Sequence, residues 1–435
     1  MQMRSKELLL YRELVKESLF ERLTRLIGRH DAGELKDLST KELESLSEES
    51  CEAVRELIEL AEGCGFDGNL WQCYLANLLV NAENAYSLAC ELKEEPSGTI
   101  TEAVSRDFEV LKYYYDWDFA KMAKELELPQ LELILNYQRD DRSGRMYNHR
   151  ISGHICDLAR EMAHAANPQE MRRAVAGFYQ RFGVGKFGLH KSFRICPGEE
   201  GVTIEPIRNI AHVKFDDLVG YEGAKKKLRD NTDAFVAKRP ANNCLLFGDA
   251  GTGKSSSIKA MTNEYYEKGL RVIEINKYQF QYLSAVISQI KSRSYRFVIY
   301  MDDLSFEDYE TDYKYLKAVI EGGLEKKPEN VLIYATSNRR HLIRENYSDK
   351  EDEDMHTGDT VQEKLSLAYR FGVTIYFGRP DKKEFQTIVQ TLATRYGIEM
   401  PQEELFLEAN KWELSHGGLS GRTASQFIDY LRGIG

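Results

Sequence analysis

The 435-residue sequence predicts an α/β fold, a mainly parallel sheet between layers of helices, preceded by an all-α N-terminal domain. Three observations predict it. Up to about residue 185, apolar residues recur at intervals of three and four, as in "KELLLYRELVKESLFERLTRLI", and breakers such as "HDAGE", "CGFDGN" and "EEPSGT" separate the runs. Beyond residue 215, short apolar strands alternate with amphipathic helical stretches. Between the first of those strands and the helix after it lies "GDAGTGKS", Gly248 to Ser255, a glycine-rich turn of defined spacing.

Taken in order, the first domain is expected over 1–185, its apolar faces forming a helix-bundle core. The run "YYYDWDFA" (113–120) reads as interhelical packing, because consecutive tyrosines point all round a helix and form no single stacking platform. His149 and His154, five apart, are poorly spaced for a shared metal and read as structural or surface residues. A connector follows over 186–214, with Gly-punctuated, β-branched texture consistent with a short strand or hairpin. The core is expected over 215–379, with strands "NCLLFG" (243–248), "LRVIEIN" (270–276), "YRFVIYMDD" (295–303), "NVLIYATSN" (330–338) and "GVTIYFG" (372–378). Three short helices, near 381–396, 402–415 and 420–433, make a C-terminal appendage over 380–435.

Composition excludes several classes. A net charge of -11 argues against broad non-specific binding to nucleic acid or an anionic membrane, which reward clustered Lys and Arg. The seven cysteines form no CxxC pair and are odd in number, so neither a zinc ribbon nor a disulfide framework is indicated; reduced, mostly buried thiols are expected. The first residues carry charges throughout, unlike a secretory leader, and no run reaches the roughly 18 apolar residues of a membrane span. A cytoplasmic protein is expected.

In "GDAGTGKS" the glycines Gly248, Gly251 and Gly253 let the backbone curl so that successive N–H groups face a phosphate at a helix N-terminus. Lys254 can reach the β- and γ-phosphates, and the Ser255 hydroxyl can ligate Mg²⁺. The rival reading, a turn that only joins strand to helix, leaves the lysine and serine unexplained. Such a loop hydrolyses nothing alone. Asp302 ends an apolar strand where ligands meet an open α/β sheet, so it is expected to hold Mg²⁺ through water. Asp303 leaves the strand differently and is the leading candidate to activate water, with Glu307 a fallback and Asp308 a solvated acid. Asn338, at the end of another strand, can hydrogen-bond the γ-phosphate or the attacking water. Arg422 lies in the first turn of the last helix, where a cation opposes the helix dipole unless an anion binds there.

Together these motifs resemble the AAA+ ATPase module, a P-loop NTPase fold, over about residues 205–435: Walker A is "GDAGTGKS", Walker B "IYMDD", sensor 1 Asn338, and sensor 2 Arg422 on a helical lid. "FDDLVGYEGAKKKL" (215–228), which contains Val219, resembles the adenine-side segment. Still closer is the resemblance to a bacterial family of AAA+-type ATP-binding proteins catalogued as a domain of unknown function. The resemblance implies a strand order of 5-1-4-3-2, ATP and Mg²⁺ as cofactors, and contacts to nucleotide from Gly248, Asp249, Ala250, Gly251, Thr252, Gly253, Lys254, Ser255, Ser256 and Val219. It also implies a ring, often a hexamer, with an arginine finger; Arg370 is the first candidate and Arg339 and Arg340 the runners-up. Asp303 departs from the commoner Asp-Glu Walker B, as in the replication-initiator branch, and implies slow turnover. The acidic segment 348–360 reads as a solvated loop. The expected function is therefore slow Mg-ATP hydrolysis that drives or gates a partner interaction, with the helical N-terminal domain meeting an unidentified protein. Two rivals stay open: a non-hydrolysing, nucleotide-dependent loader or adaptor, and a P-loop kinase, which leaves Asn338 and Arg422 unexplained.

Overall fold

The computed structural model describes residues 4–35, 38–92, 95–139, 147–199, 201–208, 210–306, 312–321, 328–339, 342 and 367–434. The chain divides into two compact units, Met1–Leu189 and His190–Gly435.

The first unit is built from helices α1 (Ser18–Asp31), α2 (Thr40–Cys64), α3 (Leu70–Asn81), α4 (Ala85–Leu92), α5 (Thr99–Tyr115), α6 (Phe119–Glu125), α7 (His149–His164), α8 (Pro168–Phe182) and α9 (Gly185–Leu189). Local chemistry sets their ends. Ser39 and Glu42 exchange side-chain and backbone hydrogen bonds in a capping box that starts α2, and Gly65, at φ 75°, ends it in the left-handed region. Asn167 caps α8, and Pro168 supplies a pre-set first turn. The core is aromatic: Trp71 is buried against Phe20 and Phe119 and donates its indole N–H to the Tyr114 carbonyl at 2.8 Å. Tyr114 and Tyr115 are buried in this core, while half-buried Tyr113 packs edge-on against Trp117. His149 lies against Tyr147, and His154 stacks on Phe182.

Among the described residues the second unit contains one sheet of seven strands: β1 (Ser192–Gly198), β2 (Gly201–Pro206), β3 (Cys244–Gly248), β4 (Leu270–Glu274), β5 (Arg296–Met301), β6 (Val331–Ser337) and β7 (Val373–Phe377). Their order is β2-β1-β4-β5-β6-β3-β7. The five strands read from the alternating region stand in the order 5-1-4-3-2, but the sheet differs from that expectation by two strands. The stretch read as a connector forms the β1–β2 hairpin, and β1 continues the sheet by pairing in parallel with β4, Ser192 against Val272. The sheet is therefore mixed, with β2 antiparallel at its edge. Inner strands β5 and β6 are buried almost along their whole length, whereas edge strand β7 alternates.

Helices α10 (Glu222–Val236), α11 (Lys254–Tyr265), α12 (Leu283–Ile290) and α13 (Tyr313–Glu321) connect the strands, and α14 (Lys382–Arg395), α15 (Gln402–Ser415) and α16 (Gly421–Ile434) follow them. The last three share a small core of Phe385, Val389, Leu405, Ala424, Phe427 and Ile428. All seven cysteines are free thiols, but only Cys73, Cys90 and Cys244 are buried, and Cys51 is exposed, so the expectation of mostly buried thiols does not hold. Among the described residues no helix is long and apolar enough to cross a membrane.

Candidate functional site

Strand β3 is flanked by β6 and β7, and its C-terminal end is the point where the direction of strand succession reverses. There the chain enters the loop before α11. Gly248, Gly251 and Gly253 have φ of 137°, 76° and 92°. A Cβ on Gly248 would sit 2.0 Å from the Phe377 carbonyl oxygen, so only glycine lets β3 leave the sheet beside β7. Among the described residues no backbone carbonyl accepts from the N–H groups of Ala250 to Ser255, a row of donors ending at a helix N-terminus.

Lys254 is 6% exposed and folds back under this loop, donating to the carbonyls of Gly248 at 2.9 Å and Asp249 at 2.6 Å and to Asn338 Oδ1 at 2.9 Å. Burial lowers its pKa against the opposing pull of Asp303, Asp249 and Asp302. Asn338 in turn donates its amide to Asp303 Oδ1 at 2.7 Å. Asp303 is itself left-handed, φ 48°, which aspartate tolerates better than most residues.

Asp302 Oδ1 accepts from Ser255 Oγ at 2.7 Å, Tyr300 OH at 2.7 Å, Thr336 Oγ1 at 2.6 Å and the Asp303 N–H at 3.1 Å. Burial pushes this carboxyl up, but the hydrogen bonds from Thr336, Tyr300, Ser255 and Asp303 outweigh it and hold the pKa below the usual carboxylate value.

These groups face a cleft of about 570 Å³. Leu218, Val219, Phe377, Ile388 and Leu392 give it an apolar end, and Tyr221, which also lines it, donates its hydroxyl to the Gly378 carbonyl at 3.1 Å. Burial pushes the Tyr221 phenol up to about 12. The N-terminus of α16 supplies Arg422 to the cleft wall, and the Arg422 N–H donates to the Gly251 carbonyl at 3.2 Å.

The sequence-derived residues Val219, Ala250, Gly251, Thr252, Gly253, Lys254, Ser255, Ser256, Asp302, Asp303, Asn338 and Arg422 all line this one cleft. Gly248 and Asp249 do not line it; the Asp249 carboxylate accepts from the Arg379 N–H at 3.1 Å. Arg370, in the turn before β7, and Arg339 do not line it. Glu307, Asp308, Arg340 and the acidic segment 348–360 lie outside the described residues. Sequence reading missed Thr336 and Tyr300. Each stands near the end of its strand, two residues before a recognised polar residue just past it, Asn338 after β6 and Asp302 after β5.

The residues fit a Mg²⁺-bound nucleotide. Unpaired loop N–H groups and a buried ammonium suit a polyphosphate, a hydroxyl beside a carboxylate suits a hard cation that keeps most of its waters, and the apolar end suits a base. Among the described residues no group of three or more His, Cys, Asp or Glu could hold a metal.

A family model with the description "Protein of unknown function (DUF815)" matches residues 189–434, more than half of the chain. The chromosomal replication initiator protein DnaA of Flavobacterium psychrophilum is 26% identical over 222 residues, covering 48% of this chain and 42% of that protein. The replication factor C large subunit of Staphylothermus marinus is 35% identical over 69 residues, 16% of either chain. A mutant RuvB of Thermotoga maritima matches with a TM-score of 0.37 at 16% identity, over 51% of this chain and 65% of that one. The chain thus spans less than half the length of either curated relative.

Proposed function

We propose, for a chain that belongs to the DUF815 family and carries an AAA+ module, that it binds Mg-ATP in the cleft at the end of β3 and hydrolyses it slowly. The observation that carries this reading is convergence: Lys254, Ser255, Asp302, Asp303, Asn338 and Arg422 come from separate segments and face one cleft. The loop N–H groups and Lys254 would hold the phosphates, and Ser255 and Asp302 would hold Mg²⁺, which when bound neutralises charge between the β- and γ-phosphates. Asp303 would orient the attacking water and take its proton, with Asn338 beside it and Arg422 approaching from the helical lid.

Slow turnover follows from the contacts of Asp303. Its Oδ1 accepts the Asn338 amide, whose own oxygen is held by Lys254, so the carboxylate can receive the water's proton only on the lone pairs, and from the directions, that this bond leaves open. The same bond favours a second reading, a nucleotide-dependent loader or adaptor that binds ATP without hydrolysing it. In either case the lid would follow the loop through the Arg422–Gly251 bond, and the helical N-terminal domain would meet a protein partner. Arg370, absent from the cleft of its own chain, would serve a neighbouring subunit in a ring. The relatives' names speak of replication, one of them of chromosomal replication; DNA as a partner rests on those names alone and is opposed by the net charge of -11.

Nucleotide binding, phosphate release and light scattering test this together. Lys254→Ala should weaken ATP binding about 100-fold, and Asp303→Asn should keep binding and lose phosphate release. Arg370→Ala should lose release while retaining the ATP-dependent mass increase. Tight binding with background release by the wild type would hand the site to the second reading, and no binding at all would defeat both.

A further inference from the structure

Asp302 carries a lopsided set of contacts. Three hydroxyls and one N–H converge on Oδ1, from Ser255, Tyr300, Thr336 and Asp303, and among the described residues no hydrogen bond falls on Oδ2. A carboxylate oxygen ordinarily offers about two lone-pair sites, so four donors saturate it and fix the rotation of the group about its bond to Cβ. Ser255 belongs to the phosphate loop and would turn to the ion. Tyr300 and Thr336 have no such second duty.

Thr336 does more than donate. Its Oγ1 gives its proton to Asp302 at 2.6 Å and accepts the Asp303 N–H at 2.9 Å, while its carbonyl accepts the Leu304 N–H at 2.7 Å. One residue of β6 thereby ties three successive residues at the end of β5. Register places it there: Tyr300 pairs with Tyr334 and Met301 with Ala335, so Asp302 comes level with Thr336. Tyr300 is only 6% exposed, and its ring is part of the core between sheet and helices. Packing therefore fixes where its hydroxyl ends, an unusual use of a position that an inner strand otherwise fills with an aliphatic side chain.

We propose that Thr336 and Tyr300 are positioning residues for the metal side of the cleft, holding Asp302 through Oδ1 so that Oδ2 is presented to the ion's water shell, with Thr336 also setting the backbone of Asp303. This rests on the Mg-ATP reading above. Groups that orient a metal-holding carboxylate govern metal affinity at the level of about 10-fold to 100-fold, while leaving phosphate contacts untouched.

The experiment measures binding of a fluorescent ATP analogue to the full chain, first in chelator and then in a Mg²⁺ titration, for wild type, Thr336→Val, Thr336→Ser and Tyr300→Phe. Metal-free affinity should stay within about twofold, because Lys254 and the loop are unchanged. The Mg²⁺ concentration for half-saturation should rise about 10-fold in Thr336→Val and less in Tyr300→Phe, where Thr336 still donates to Oδ1 and still accepts the Asp303 N–H. Thr336→Ser restores the hydroxyl and should return most of the affinity. An unchanged Mg²⁺ dependence in Thr336→Val, or an equal loss of metal-free binding in all three variants, overturns the proposal. A wild type whose ATP binding ignores Mg²⁺ defeats the Mg-ATP reading itself, and that result is visible before any variant is made.

Discussion

Asp107 in the helical unit and Asp302 in the sheet unit are both acids with several donors, and they are satisfied in opposite ways. Asp107 is fully buried and accepts three backbone N–H groups, from Leu9 at 2.7 Å, Leu10 at 2.8 Å and Tyr11 at 3.0 Å. Those donors belong to the main chain and cannot turn away without moving it. Asp302 is held mostly by hydroxyls, which rotate about single bonds, at the edge of a cleft. A carboxylate locked by peptide groups builds the fold, whereas one held by side chains through a single oxygen keeps the other for a partner.

The sharpest way to break this contrast is to remove each acid. Asp302→Ala should lower Mg-dependent phosphate release about 1000-fold and change folding stability by no more than about 1 kcal/mol. Asp107→Ala leaves three buried N–H groups without an acceptor and should cost about 4 kcal/mol in denaturant unfolding, with ATP affinity of the remaining folded protein unchanged. If the two substitutions exchanged their effects, the contrast would be wrong.

A smaller effect separates two variants of one residue. Asp303→Asn keeps a side chain that tolerates the left-handed backbone and can still reach Asn338; Asp303→Ala keeps neither. Both should lose turnover, but the alanine variant should be less stable by about 1 kcal/mol in thermal unfolding. Equal stabilities would mean that Asp303 does not hold that conformation.

The smallest expected effect concerns pH and Lys254, whose contacts are also replaceable. Burial lowers its pKa from the ordinary 10.5, so between the native value and 10.5 the unfolded chain binds more protons than the folded one. Nucleotide-free stability should therefore rise with pH through that alkaline window. Lys254→Met should flatten the rise, and an unaltered slope would assign it to other groups.

The contrast also explains what was legible in the sequence. The loop, Asp302, Asn338 and Arg422 announce themselves because their spacing is local and their residue types are polar where an apolar strand or a helix start would not need them. Thr336 and Tyr300 stayed hidden. Their roles depend on β5 lying beside β6 in one register, and in "VIYMDD" a tyrosine reads as one more core residue. The β1–β2 hairpin was recognisable as strand-like, but its pairing with β4 is a contact between segments far apart in the chain, which periodicity does not encode. Asp303 read as a free base, and only its distance to Asn338 reveals that it is engaged.

The bond from the Arg422 N–H to the Gly251 carbonyl has one last consequence. That carbonyl and the N–H of Thr252 belong to the same planar peptide unit and point in opposite directions. Any rotation that swings the Thr252 N–H toward or away from a phosphate must swing the Gly251 oxygen the other way, as the two ends of a rigid see-saw. The first turn of the last helix is bonded to one end of that see-saw and a nucleotide would meet the other, so in the Mg-ATP reading proposed above a movement of a single peptide plane would carry what the loop holds to the helix.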